Sequence, residues 1–126
     1  MTRLRPSFPP DVARVLQCPA GEVSVRYTLP AWLGQPPRVD SVLMETPYER
    51  VLSALTLDTK LNLRFVRTGS REEGARVALV NVASLLGAGR HWDIGLRWNS
   101  DELHVAVRDQ HDPDGPLLEG RWPPRT

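Results

Sequence analysis

The sequence predicts a mainly β domain, an antiparallel sandwich or small barrel with one or two short helices. Three observations carry this. Apolar and polar residues alternate at period two over 22–29, 60–67 and 92–109. A short polar turn joins the last two alternating runs into a hairpin. Proline and glycine clusters interrupt the chain before any long helical pattern develops. With 126 residues the chain has the size of a single domain, 1–126, with irregular proline-rich tails expected at about 1–10 and 112–126.

In chain order, Pro10–Gln17 reads as a short helix ended before Pro19. Residues 22–29 place Val23, Val25, Tyr27 and Leu29 on one face of a half-buried strand that Pro30 stops. Gly34-Gln35-Pro36-Pro37 is a loop, and 38–45 is a weaker strand. Thr46-Pro47-Tyr48-Glu49 carries a capping hydroxyl, a proline at the first helical position and a glutamate three residues after the cap. That signal predicts a helix through residues 50–55 to near Asp58. Val51, Ser53, Leu55 and Leu57 also fit period two, so a strand is the alternative there.

Residues 60–67 point Leu61, Leu63 and Phe65 inward. The apolar run 76–86 suits a buried strand, favoured by Val77, Val80 and Val82, or a helix at about 72–86, which would make the fold α+β. Trp92, Ile94, Leu96 and Trp98 alternate, Asn99-Ser100-Asp101-Glu102 turns the chain, and Leu103, Val105 and Val107 alternate back. These seven apolar residues are assigned to the core.

With the helix at 72–86, the order strand, strand, strand, helix, strand, strand over roughly 22–109 resembles the oligonucleotide-binding barrel, on element order alone. That resemblance implies nucleic-acid binding. The 92–109 hairpin also looks like strands of lectin-like sandwiches.

Composition bounds function more than it points to one. A formal charge of +1, from 16 basic and 15 acidic residues, gives no overall pull toward nucleic acid or anionic lipid. The single cysteine, Cys18, excludes an internal disulfide and fits a reducing compartment. Prolines 6, 9 and 10 fall where a signal peptide needs its apolar run, and no stretch reaches the length of a membrane-spanning helix. A cytoplasmic location without membrane attachment is expected.

The three histidines, His91, His104 and His111, have no zinc-site spacing, although a metal site of His104, His111 and Asp109 is sterically conceivable. Asp109 to Gly115 lacks the ligand order of a calcium loop, and Asp112-Pro113-Asp114-Gly115 reads as a β-turn. Gly87-Ala88-Gly89 lacks the remainder of a phosphate-binding fingerprint. Cys18 and the serines have no nucleophile context. No catalytic residue, metal or cofactor is therefore expected, and the balance leans away from an enzyme.

Arginine supplies 15 of the 16 basic residues, beside the single Lys60. If the strands at 22–29, 60–67, 92–98 and 103–109 share a sheet, then Arg26, Lys60, Arg64, Arg97, His104 and Arg108 lie together on the face away from the core. The leading expectation is a non-catalytic binding or protein-interaction module, self-associating through an uncovered sheet edge or through Trp32-Leu33. A nucleic-acid-binding barrel that uses the arginine face is the second reading. A small-molecule-binding β domain or unrecognised enzyme is the third.

Overall fold

The computed structural model describes residues 7–28, 41–46, 52–68, 75–85 and 91–123. It is mainly β, as predicted: among the described residues are one short helix and eight strands in two antiparallel sheets of four. Helix α1 spans Pro10–Leu16 and strand β1 spans Gly21–Thr28. Strands β2 (Ser41–Glu45), β3 (Leu52–Leu57), β4 (Asn62–Thr68) and β5 (Arg76–Asn81) form a meander. A single 3-10 turn, Ala83–Leu85, follows. The chain then returns with β6 (His91–Trp98), β7 (Leu103–Asp109) and β8 (Leu118–Trp122), which complete a sheet of order β1-β6-β7-β8.

The hairpin forms in the predicted register, from Trp92 opposite Asp109 to Trp98 opposite Leu103. Its turn is tied by Asn99, whose Oδ1 accepts from the amides of Asp101 (2.8 Å) and Glu102 (2.9 Å). All seven residues assigned to the core are buried. They face the second sheet, where Phe65 meets Trp98 edge to face at 6.2 Å between centroids. Asp112-Pro113-Asp114-Gly115 is the expected turn, closed by the Gly115 amide on the Asp112 carbonyl at 3.0 Å.

Three expectations change, and one alternative falls away. Residues 52–57 are strand rather than helix. The Thr46 hydroxyl does not cap a helix in the described chain; it accepts from the Ser53 amide at 3.0 Å, and the Thr46 amide donates to the Ser53 carbonyl at 2.9 Å. The same residue type that starts helices here prolongs the β2–β3 pairing. Residues 76–81 are strand, the favoured reading, so the alternative of a helix at about 72–86 is set aside, and the element order that resembled the oligonucleotide-binding barrel goes with it.

The C-terminal stretch is not irregular throughout, because Leu118–Trp122 pairs with β7. Lastly, the alternating runs do not share one sheet: 62–68 belongs to the second sheet and the other three to the first. Pro47–Glu49, Trp32-Leu33 and Gly87-Ala88-Gly89 lie outside the described residues.

The two sheets meet along one side. A Cβ on Gly120 of β8 would collide with the Leu79 carbonyl of β5, so only glycine lets these backbones approach so closely. On the other side α1 inserts Val12 and Leu16 into the core, preceded by buried Phe8.

Candidate functional site

The outward face of β1-β6-β7-β8 follows from strand alternation and the pairing register. One row across the sheet is Arg26, Asp93 and Arg108. The next is Ser24, Gly95, Ala106 and Glu119. The third is Glu22, Arg97, His104 and Arg121. Small residues on β1, β6 and β7 thus make a shallow trough between two charged rows, closed at β8 by Glu119. The space above Gly95 is open, with no atom within 4 Å of where a Cβ would sit.

Of the six residues predicted to share a basic face, the structure brings Arg26, Arg97, His104 and Arg108 together here. Lys60 and Arg64 belong to the other sheet and its β3–β4 turn. Arg121 joins the face, a residue missed because its strand was expected to be tail.

The face is mixed in sign rather than uniformly positive. Arg26, Arg97, Arg108 and Arg121 are interleaved with Glu22, Asp93 and Glu119. The Arg26 Nε lies 3.3 Å from Asp93 Oδ1, and the Arg26 side chain remains 75% exposed. His104 Nε2 lies 3.1 Å from Glu119 Oε1. Tyr27, Trp92, Trp98 and Trp122 share the inward rows, so no aromatic of these strands stands beside the arginines. Burial pushes the Tyr27 phenol above its ordinary pKa.

Arg64 is committed elsewhere. Its Nη2 donates to Asp58 Oδ2 at 2.9 Å. The Asp58 carboxylate also accepts from the amides of Lys60 and Asn62, each at 2.9 Å, and from the Asn62 side chain at 3.1 Å. Burial raises the Asp58 pKa, but the bonds from Asn62 and Lys60 and the Arg64 charge outweigh it and hold it below the usual value. This cluster fixes a turn in which Leu61 has φ 66°, an uncommon conformation for leucine.

Sequence reading also missed Arg67. It occupies the inward parity of β4, in series with Leu63 and Phe65, and is 2% exposed. Its Nη1 donates to the Leu16 carbonyl (2.8 Å) and Ser53 Oγ (3.0 Å), and its Nη2 to the Cys18 carbonyl (3.3 Å). The guanidinium stacks 4.9 Å from the Trp98 ring centre, and Trp98 Nε1 donates to the same Cys18 carbonyl at 3.0 Å. Burial first, then the Arg76 charge, pull its pKa down to about 10. Arg76 in turn bonds the carbonyls of Asn99 and Ser100, at 3.1 and 3.2 Å, and lies 5.7 Å from the Trp122 ring centre.

The grouping of His104, His111 and Asp109 is not assembled. His104 points outward and Asp109 inward, and His111 instead meets His91 with ring centres 5.3 Å apart. Among the described residues no cluster of three or more histidine, cysteine or acidic side chains could hold a metal ion. No helix among them is long and apolar enough to cross a membrane. No protein family, curated protein or solved structure matches this chain.

Proposed function

We propose that this protein is a non-catalytic protein-interaction module whose contact surface is the outward face of β1-β6-β7-β8. The observation that carries the reading is the trough of Ser24, Gly95 and Ala106, open above Gly95 and walled by rows of mixed charge. Small residues let a partner backbone or ridge come close. The flanking charges of both signs reward one registry and penalise others. A free, exposed Cys18 fits work in a reducing compartment such as the cytoplasm.

The mixed charge favours a protein partner over a nucleic acid. A polyanion would meet Glu22, Asp93 and Glu119 as well as the arginines, and would find no aromatic platform for stacking among the described residues of this face. The inward polar residues Thr46, Ser53, Asp58, Arg67 and Asp109 each bond to the chain itself, which speaks for structural duties rather than ligand capture.

Two measurements test this. Fluorescence anisotropy with single-stranded DNA and RNA should give no binding that falls steeply with salt. Such binding, lost on changing Arg26, Arg97 and Arg108 to alanine, would replace this reading with the nucleic-acid one. Filling the trough with Gly95→Trp should abolish partner capture while the thermal unfolding midpoint stays near wild type, since the site is open. Capture that persists in a folded Gly95→Trp protein would place the contact surface elsewhere.

A further inference from the structure

Among the described residues, three of the four sheet edges are occupied within the chain. β5 and β8 close on each other at Leu79 and Gly120. β2 receives the N-terminal segment, through a parallel bridge from Ser7 to Glu45 and a 3.3 Å bond from the Phe8 amide to the Glu45 carbonyl. β1 differs. Among the described residues, no bridge or backbone hydrogen bond joins it to anything but β6. It is eight residues long, and although α1 lies against its Gly21 end and Glu22 and Arg26 are charged, it has neither a proline, a lysine nor a bulge to blunt the edge.

We infer that β1 pairs antiparallel with β1 of a second copy, about a twofold axis at Ser24. The charges select this partner and register. Glu22 and Arg26 flank Ser24 symmetrically, so antiparallel pairing centred there sets each Glu22 opposite Arg26 of the second copy, twice over. Glu22 and Arg26 are both exposed on β1, and Glu22 has no ion pair among the described residues. On the inward side the same register sets Val23 against Val25 and Gly21 against Tyr27. Val23 and Tyr27 are only half-buried although they face the core side, so a second copy has apolar surface left to cover. The product is one continuous eight-stranded sheet with β1 at its centre on both sides of the axis. The inference stands whatever the outward face binds.

Sedimentation velocity on the whole chain tests it. Wild type should show a concentration-dependent species of twice the 14.1 kDa chain mass. Glu22→Arg should be monomeric, because two arginines then oppose two arginines, and Arg26→Glu should be monomeric by the converse repulsion. An equimolar mixture of these two variants should restore the dimer, as should the double variant carrying both changes. Recovery on mixing is open only to folded chains, and circular dichroism checks each variant. A wild type that is monomeric at every concentration overturns the inference. So does a dimer indifferent to the single reversals, or a folded mixture that stays monomeric.

Discussion

Arg67 keeps its charge at neutral pH in a nearly dry site because Leu16, Cys18 and Ser53 supply oxygen acceptors and Trp98 supplies a π face. The guanidinium thereby fastens the end of α1 to the second sheet. Arg67→Met keeps roughly the same volume but takes the guanidinium donor from the buried Leu16 carbonyl, while the Cys18 carbonyl keeps its bond from Trp98, at a cost of about 1–3 kcal/mol. Hydrogen exchange should quicken first in Pro10–Leu16; uniform acceleration over all strands would contradict the fastening role. Asp58 makes the complementary prediction. Its folded pKa lies below the ordinary 3.8, so its contribution is complete above that value and is lost as pH falls through the lower folded one. Asp58→Asn should therefore lower stability at neutral pH by about 1–3 kcal/mol. The deficit should shrink in acid, and an equal deficit at all pH values would rule the linkage out. Arg67's inward position was open to reading from its parity with Leu63 and Phe65. Its partners were not, because Leu16 and Cys18 lie about fifty residues away in the chain.

At the scale of elements, local patterns were legible where they were unopposed. The 92–109 hairpin needs only alternation and a four-residue polar turn, and it forms residue for residue. Residues 52–57 were misread because Thr46 offers the same hydroxyl to a helix N-terminus or to a facing strand amide, and the pairing with Ser53 decides between them. β8 was missed because its central inward position is Gly120, which carries no apolar signal, and prolines stand on both sides. That glycine exists for the β5–β8 corner. Gly120→Ala should cost about 1–3 kcal/mol through overpacking against Leu79. Gly95→Ala, in open space, should change the unfolding midpoint far less, and equal losses at both positions would contradict the closed corner.

For the whole molecule, the division of strands between two sheets was beyond sequence reading. Alternation says which residues share a face of a strand but not which strands are neighbours, and β1 finds β6 across some seventy residues. That division separates Lys60 and Arg64 from the other predicted face residues and brings in Arg121 and Glu119. It turns an expected basic patch into an interleaved one, and this is why a protein partner is favoured. Outward positions on the other sheet include Val42 and Leu79, each 45% exposed, so the two outer faces differ in character and can be set against each other. Site-specific photo-crosslinking in the protein's own host cell makes that comparison directly, with the photoreactive residue at Ala106 in the trough or at Thr56 on the opposite face. A discrete protein adduct is expected from position 106 that disappears with Gly95→Trp, and none from position 56. Adducts from 56 alone, or from 106 regardless of Gly95→Trp, would contradict the trough as contact surface.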